Sequence, residues 1–282
     1  MSRIGKKNKL VHPFVKWVGG KRQLLNEIEK HIPEQFSRYY EPFAGGGAVL
    51  FYVQPKKAVI NDSNEELVNL YNVIKESSEE LIKDLKKHKN EERYYYKVRG
   101  IDREKEKYLE LSNVQRASRI IFLNKTCYNG LFRVNSSGEF NSPFGRYRNP
   151  NIINDVRIRA ASNYLSNNDI KILSTDYEKS LLKIRKGAFV YFDPPYDPVS
   201  DSSSFTGYTK NGFDRTEQER LKKVCDKLND KGVKFLLSNS STKFIKGLYR
   251  EYNIVSIKAK RAINSKGDGR GETTEVLVKN YV

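Results

Sequence analysis

Short apolar runs of strand length alternate along this chain with amphipathic segments of helical period, and this alternation limits the fold more than any other feature. The runs predict seven β-strands, at residues 38–43, 57–62, 169–174, 187–193, 233–239, 253–259 and 274–281. Helical patterns lie between most of them, at residues 21–31, 64–89, 153–166, 216–230 and 242–249. Strands separated by helices form parallel sheets, so we predict an α/β fold with a mostly parallel sheet.

Two intervals depart from this alternation. Roughly a hundred residues separate the second and third strands, far more than one crossover needs, and this length predicts an insertion. Helical patterns at 64–89 and 113–125 lie in the insertion, followed by YNGLFRVNSSGEFNSPFGRYRNP (128–150), which we interpret as a surface hairpin. The last two strands have no helix between them, only INSKGDGRGE, which predicts a flexible loop and an antiparallel hairpin of these two strands at the sheet edge.

The charge of the chain indicates its partner. The 52 Lys and Arg residues exceed the 34 Asp and Glu residues, which leaves a net charge of +18 that is spread along the chain. Positive charge on this scale favours a polyanion, and we expect nucleic acid.

The metal-binding and thiol-bearing residues are few. The two cysteines and three histidines form no CxxC pair and no Cys/His cluster, so we expect neither a metal site nor a disulfide framework. The basic start MSRIGKKNKL is followed by no apolar segment, and no run of about 18 apolar residues occurs. We therefore expect a cytoplasmic protein with no membrane partner.

The stretch VYFDPPYD (190–197) ends a predicted strand with a carboxylate, two prolines and an aromatic ring. The prolines lack N–H groups and fix φ, so no local helix can use the carbonyls of Asp193 and Pro194. Together with the Tyr196 ring, these acceptors could bind a planar group that carries an NH₂. A plain strand-ending turn with a surface Asp explains Asp-Pro-Pro alone equally well.

The segment PFVKWVGGKRQLL places Trp17 and Lys21 on either side of two glycines, before the helix predicted from residue 21. Glycines allow a ligand to approach the backbone closely. A lysine at a helix start opposes the helix dipole, which suggests an anionic ligand group. A buried Trp17 and a solvated Lys21 would account for the same residues.

The segment EPFAGGGAVL lies where the first strand passes through a loop into a helix. Glycines at this junction let a ligand lie against backbone N–H groups, and Asp62 at the end of the next strand is placed to hold a ribose diol. Gly45, Gly46 and Gly47 do not form GxGxxG, so a dinucleotide is not implied. A Gly-rich turn that binds no ligand remains an alternative interpretation of this segment.

These segments fall at the same edge of the predicted sheet, because ligands of open α/β sheets bind at the carboxyl ends of the strands. The first four strands end at Phe43–Gly45, at Asp62, at Asp176–Tyr177 and at Asp193–Tyr196 respectively. One crevice would collect all four ends, and this conjunction is far more specific than any single segment.

In this order, FVKWVGGK, EPFAGGGAV, IND, NGLFRVNSSGEFNSPFGRY and VYFDPPY resemble the Dam family of DNA adenine-N6 methyltransferases, over nearly the whole chain. The similarity is greatest to methylases of restriction–modification systems that act at GATC. It implies a Rossmann-like methyltransferase domain at residues 1–64 and 152–282. Residues 65–151 would form an inserted target-recognition domain with helices and a DNA-contacting hairpin.

The resemblance implies S-adenosylmethionine as cofactor and assigns residues to it. Asp193, Pro194 and Tyr196 would be catalytic, with Tyr196 stacking on an adenine that is flipped out of the duplex. The cofactor would contact the following residues: Trp17, Lys21, Phe43, Gly45, Gly47, Asp62, Asp176, Tyr177 and Asp193. Asp176-Tyr177 departs from the Asp-Phe of relatives, although an aromatic wall is kept.

The resemblance also assigns residues to double-stranded DNA. Arg133 would bind guanine O6 and N7, Lys16 would contact the outer guanine, and Pro143 would touch a thymine methyl. Tyr128 and Asn129 would enter near the vacated base, and Arg146 would lie on the DNA. A phosphate contact is the alternative for Arg133.

Other functions remain compatible with the residues alone. A cytosine-N4, RNA-adenine or protein-glutamine methyltransferase would also bind a planar NH₂ group, and a non-catalytic DNA-binding relative would keep the scaffold. Asp before Pro-Pro, the positive charge and the Arg-rich hairpin favour DNA adenine. We expect a monomer or weak dimer, with a cognate restriction endonuclease as a further partner.

Overall fold

A computed structural model describes residues 7–199, 212–260 and 272–282 of the chain. Its centre is a seven-stranded sheet in the order β3-β2-β1-β4-β5-β7-β6. The strands are β1 (Tyr39–Glu41), β2 (Lys57–Asn61), β3 (Asp169–Leu173), β4 (Phe189–Phe192), β5 (Lys234–Ser240), β6 (Asn253–Lys260) and β7 (Glu272–Lys279). The first five run parallel to one another, so the predicted α/β fold with a mostly parallel sheet is confirmed.

Strand β7 runs opposite to the other six strands of the sheet. Strand β7 pairs antiparallel with both β5 and β6 and therefore lies inside the sheet, while β6 forms its edge. The prediction of an antiparallel final strand is confirmed. The loop predicted to be flexible, INSKGDGRGE, falls almost wholly on residues 261–271, outside the described residues.

The described residues contain ten α-helices, and local signals explain where several of them start. Asn64 accepts a hydrogen bond from Leu67 N, and Ser112 forms a capping box with Gln115. The helices are α1 (Leu25–Lys30), α2 (Ala48–Val53), α3 (Glu65–Glu76), α4 (Ser78–Leu85), α5 (Glu92–Gly100), α6 (Lys105–Leu109), α7 (Asn113–Thr126), α8 (Asp155–Ser166), α9 (Arg215–Asp230) and α10 (Lys243–Leu248). Within the described ranges, no helix is long and apolar enough to cross a membrane.

Two helix predictions were wrong in their bounds. The helix predicted from residue 21 begins at Leu25, because Lys21 lies in a turn that precedes it. The single helix predicted at 64–89 is two helices, since Ser77 leaves the helical region with φ −140° and ψ 42° between α3 and α4. Helices α5 and α6 were not predicted.

Alternate residues of the central strands pack into two cores, one on each face of the sheet. In β4, Phe189 and Tyr191 face one core, and Val190 and Phe192 face the other. The first core continues without a break into the insertion, where α3 packs against α7. One core therefore underlies both regions, and the domain boundaries at 64/65 and 151/152 stay a prediction.

Candidate active site

The order β3-β2-β1-β4 places the carboxyl ends of four parallel strands side by side. Pro42 directly follows β1, and Pro194 follows β4 after Asp193. Each ladder therefore ends near a proline, which removes a backbone donor. Beyond these strand ends lie the glycine loop, Asp62, the Asp176–Tyr177 pair and Asp193. We call this border of the sheet the catalytic edge.

At the catalytic edge, Asp62 holds the glycine loop. Its Oδ2 accepts a hydrogen bond of 2.9 Å from Gly45 N, and its Oδ1 accepts one of 2.9 Å from Asn64 N. Gly45 and Gly47 have φ values of +50° and +70°, which other residues rarely adopt. Burial raises the pKa of Asp62, although the hydrogen bonds from Asn64 and Gly45 lower it. The position of Gly45 in the loop is thus fixed by the Asp62 carboxyl group.

Trp17 lies against the same loop. A Cβ added to Gly45 would lie 3.0 Å from Trp17 Cδ1, so only glycine allows this close approach. The opposite neighbour of the indole is Phe132, with ring centroids 4.4 Å apart and an interplanar angle of 25°. Trp17 is therefore half-buried between the loop and the insertion.

Lys21, Asp193 and Tyr196 form one cluster. The buried Lys21 ammonium lies 2.8 Å from Asp193 Oδ1, 4.6 Å from the centroid of the Tyr196 ring, and donates to Gly19 O at 2.7 Å. The Tyr196 hydroxyl donates to Glu275 Oε2 at 2.7 Å. The anionic group that pairs with Lys21 in the structure is thus Asp193.

The electrostatics of Asp193 follow from this cluster. Burial raises the pKa of the Asp193 carboxyl above its ordinary value. The Lys21 ammonium opposes this rise, and the negative charge of Glu275 adds to it. Asp193 is therefore a partly buried acceptor, and the charge of Lys21 favours its ionised form.

The loop that follows β4 is held by polar side chains that sequence reasoning missed. Gln218 Nε2 donates to Pro195 O at 2.8 Å, and the Asn239 carboxamide accepts from Asp197 N and donates to Gln218 Oε1. Ser240 Oγ donates to Asp197 O at 2.7 Å. In the described part of the chain, no donor reaches the carbonyl of Pro194, which remains a free acceptor as expected.

Two further buried polar residues support the catalytic edge. Asn61 Nδ2 donates to Pro42 O and Thr175 O, both at 3.0 Å, and its Oδ1 accepts from Thr175 N, so it ties three strand ends together. Glu41 is buried and accepts from the Tyr39 hydroxyl at 2.8 Å, and burial raises its pKa to about 8. Asn61 lies in the IND segment and Glu41 in EPFAGGG, but only their side-chain partners reveal these roles.

An aromatic cluster closes the side of the edge near β3. The centroid of the Tyr177 ring lies 5.0 Å from that of Phe43 and 6.1 Å from that of Phe213. The neighbouring Asp176 pairs with Arg220 at 2.7 Å. Burial would raise the pKa of Asp176, but Arg220 and the backbone N–H of Glu178 outweigh burial and lower it. The neighbouring Tyr177 ring is 6% exposed and the Arg220 guanidinium lies 4.7 Å from its centroid, so Arg220 covers Tyr177 as well as pairing with Asp176.

The six residues predicted to contact DNA are all exposed: Lys16, Tyr128, Asn129, Arg133, Pro143 and Arg146. They lie on, or next to, residues 124–148, which we call the recognition segment. Two isolated bridges, Cys127 with Phe144 and Val134 with Phe140, replace the regular strands of the predicted hairpin. The Lys16 side chain joins this surface, because a Cβ on Gly130 would lie 2.6 Å from Lys16 Cδ.

Within the recognition segment, a neighbour orients Arg133. Its Nε donates to Asn141 Oδ1 at 2.6 Å, and its Nη2 donates to Asn141 O at 3.3 Å. Arg146 is 79% exposed in its side chain and lies 3.6 Å from Glu92, so its position is less restricted. Asn141 was not predicted, since only the bridge at Val134 and Phe140 brings it opposite Arg133.

The geometry can be compared with known proteins. The model of the family described as D12 class N6 adenine-specific DNA methyltransferases matches residues 17–263, which includes the catalytic edge and the recognition segment. The chain belongs to this family. It is therefore an enzyme that methylates adenine N6 in DNA, and the cytosine, RNA and protein alternatives are set aside.

Individual relatives match over almost the full length. The type II methyltransferase M1.LlaDCHI of Lactococcus lactis subsp. cremoris is 46% identical over 278 residues, which covers 98% of each chain. The type II methyltransferase M.MjaIII of Methanocaldococcus jannaschii is 44% identical and covers 96% of this chain and 99% of its own. The DNA adenine methylase of Escherichia coli (strain K12) is 31% identical and covers 94% and 93%.

Proposed function

We propose that this adenine-N6 DNA methyltransferase uses S-adenosylmethionine as methyl donor and acts within GATC in double-stranded DNA, on an adenine flipped out of the duplex. The observation that carries the proposal is the catalytic edge, where Asp193 and the carbonyl of Pro194 lie next to the glycine loop that Asp62 holds. In this proposal residues 1–64 and 152–282 carry the chemistry, and residues 65–151 read the DNA.

The donor set of the edge fits S-adenosylmethionine. A carboxylate has about four acceptor sites, and backbone N–H groups occupy two of those on Asp62, so the remaining two can accept from a ribose diol. Tyr177 and Phe43 supply a flat apolar wall for an adenine ring. Gly45 and Gly47, together with Trp17, would approach the methionine part. Lys21 and Asp193 would border the methyl group, and the Arg220 partner makes Asp176 the weakest of these assignments.

Adenine N6 is a weak nucleophile, because its lone pair is delocalised into the ring. When bound, S-adenosylmethionine supplies a methyl group on a sulfonium, which is already activated. Asp193 and Pro194 O would accept the two hydrogens of N6, so that N6 becomes tetrahedral and its lone pair points toward the methyl group. Positioning then provides most of the rate. The proton leaves toward Asp193 once N6 carries positive charge.

Methylation of a duplex requires the adenine to leave the stack. The Tyr196 ring is suited to receive it, because Glu275 holds its hydroxyl and Lys21 contacts its face. The half-exposed ring is therefore a rigid platform on which a flipped base can stack. Tyr128 and Asn129 are both exposed, and Asn129 has a φ of +57°, so they would enter the space that the base leaves.

The recognition segment would read the site. Arg133 is exposed and its fork is oriented by Asn141, which suits a bidentate contact with guanine O6 and N7. Lys16 would contact the outer guanine, Pro143 a thymine methyl, and Arg146 the DNA backbone. Pro143 lies beside Tyr128, since Tyr128 N donates to Pro143 O at 2.8 Å.

The biological setting is proposed from two relatives. The relatives described above at 46% and 44% identity are named type II methyltransferases, which favours a role in a restriction–modification system with a cognate endonuclease. The enzyme would then protect host DNA from this endonuclease.

Expression in a bacterial host that lacks GATC methylation tests the proposal. Host DNA should become resistant to an endonuclease that adenine methylation of GATC blocks, and single-molecule sequencing should find N6-methyladenine at GATC. A variant with Asp193→Ala, expressed to the same level, is the negative control. Methyladenine in another sequence context would refute GATC, and methylation without S-adenosylmethionine in purified reactions would refute the cofactor.

A further inference from the structure

One aromatic contact joins the glycine loop to the recognition segment. Trp17 lies on Gly45 and stacks on Phe132, with ring centroids 4.4 Å apart and planes 25° from parallel. Phe132 is 8% exposed and directly precedes the exposed Arg133. A continuous packed path therefore runs from the loop proposed to bind the cofactor to the side chain proposed to read guanine.

Both ends of this path are fixed to the protein. Asn124 donates to Lys16 O and accepts from Lys16 N, each at 2.8 Å, and this bonding anchors the backbone beside Trp17 to the end of α7. Asn124 also donates to Gly130 O at 3.1 Å. Asn124 therefore ties the backbone beside Trp17 to the start of the recognition segment.

The far side of Phe132 is equally constrained. Its ring packs edge-on against Phe140, with centroids 5.5 Å apart. The backbone of Phe140 donates to Asp102 Oδ2 at 2.8 Å and accepts from Arg103 at 2.7 Å. Asp102 in turn pairs with the buried Arg119 at 2.8 Å. Phe132 thus lies between a rigid helical support and an indole that touches the glycine loop.

We infer that Phe132 is a positioning residue, through which occupancy of the glycine loop by the cofactor and base discrimination by Arg133 are coupled. A ligand that orders the Gly45 loop fixes Trp17, the Trp17 stack fixes Phe132, and Phe132 sets the backbone from which Arg133 extends. Coupling of this kind is reciprocal, so DNA must tighten cofactor binding by the same factor. The inference rests on the proposed cofactor and site.

Calorimetry on the full chain measures this factor. S-adenosylhomocysteine is titrated into the free enzyme and into the enzyme saturated with a GATC duplex, and the ratio of the two dissociation constants is the coupling. Phe132→Leu keeps an apolar side chain but removes the ring, and it should lower the ratio by about two- to tenfold. Phe132→Tyr keeps the ring and should retain the ratio. The preference for GATC over a site with one changed guanine should fall in parallel.

The matched control is Phe36→Leu, because Phe36 is a similarly buried aromatic that packs on Tyr39 and Phe189 in the sheet core. The ratio of dissociation constants for Phe36→Leu should equal that of the parent enzyme. If Phe132→Leu does not fold, Phe132→Met provides the same test. The emission of Trp17, the single tryptophan of the chain, gives a second readout, and its response to DNA should shrink in Phe132→Leu.

Three results would overturn the inference: a parent ratio of one, an unchanged ratio in Phe132→Leu, or an equal loss in Phe36→Leu. Failure of the proposed function would look different, since the parent enzyme would then not bind S-adenosylhomocysteine or would not prefer GATC.

Discussion

The catalytic edge and the recognition segment hold their polar groups in opposite ways. At the edge, Lys21 is buried and pairs with Asp193, and Asp62 accepts two backbone hydrogen bonds. In the recognition segment, Arg133 and its predicted companions are exposed, and the backbone beneath them is anchored instead, for example by Tyr95 and Arg99 on Ser142 O.

This difference predicts that catalysis and recognition of the DNA sequence depend on separate sets of residues. A buried charge with few partners changes its protonation and geometry when one partner is removed, so substitutions at the edge should act on turnover or cofactor affinity. An exposed side chain on a fixed backbone can change without disturbing the fold, so substitutions in the recognition segment should act on the choice of sequence.

Replacement of Asp193 should have the largest effect. Asp193→Ala removes the acceptor that orients adenine N6, and loss of such positioning should lower turnover by about a hundredfold or more. Radiolabelled methyl transfer to a GATC duplex at saturating cofactor measures it. Asp169→Ala is the control, because Asp169 begins β3 at the opposite end of the sheet. Near-normal turnover of Asp193→Ala would show that the catalytic edge is not the site of methyl transfer.

Asp62→Ala should chiefly weaken cofactor binding. It removes the proposed ribose contact and also the acceptor of Gly45 N, so the dissociation constant for S-adenosylhomocysteine should rise by about ten- to a hundredfold. Calorimetry measures this dissociation constant. The constant of Asp62→Asn, which keeps one acceptor oxygen, should lie between those of the parent enzyme and Asp62→Ala. If saturating cofactor does not restore turnover, Asp62 acts in the chemical step and the two carboxylates are not separate in role.

Arg133→Ala should change the ranking of DNA sites. Loss of a bidentate guanine contact costs about 1–3 kcal/mol of discrimination at one base pair. Methylation rates of GATC and its single-base variants, at several salt concentrations, measure it. Asn141→Ala should give a smaller change in the same direction, because Asn141 only orients the fork.

The exposed Arg148 serves as the matched control for Arg133. Removal of an arginine that contacts only phosphate weakens all sequences about equally and lowers the salt slope by about one unit. If Arg133→Ala lowers every rate by one factor and leaves the ranking unchanged, Arg133 also contacts only phosphate, and bases are read elsewhere in residues 124–148.

Two substitutions of Tyr196 should separate the effect of base stacking from that of the hydrogen bond made by the hydroxyl. Tyr196→Ala loses the platform for the flipped base, at about 1–3 kcal/mol. Tyr196→Phe keeps the ring but loses the bond to Glu275, at about 0.5–1.5 kcal/mol. A fluorescent base analogue at the target position reports the flipped state of each variant. Equal behaviour of the Ala and Phe variants would argue against a stacked base.

The smallest effect concerns pH. Only ionised Asp193 accepts both a hydrogen bond and the proton from N6, and burial raises its pKa, so activity should fall at a higher pH than the ordinary aspartate range as solutions are acidified. Lys21→Met removes the charge that opposes this rise, and should move the acidic limb of kcat/KM further upward. Lys30→Met, at an exposed position, should leave the limb in place. A downward movement in Lys21→Met would contradict the role of the pair.

Most of the fold could be read from local patterns. The strands could be predicted because their side chains alternate between two cores, as Phe189 to Phe192 do in β4, and because two prolines follow the end of β4. These signals extend over a few residues, so no long-range information was needed. Helices α5 and α6 were missed, since they bury few side chains: only Tyr95 and Val98 are buried in α5, and none is buried in α6.

For the candidate site, too, local sequence patterns predict one part and miss another. The sequence alone determined which strand ends carry Asp62 and Asp193, because parallel strands bring their carboxyl ends to one edge. Only the tertiary structure decided their partners. Lys21 meets Asp193, and Glu275 meets Tyr196 from 79 residues away. Trp17 reaches Phe132 in the insertion. Such pairs depend on how helices and strands pack around two cores, and no local pattern of residues encodes that packing.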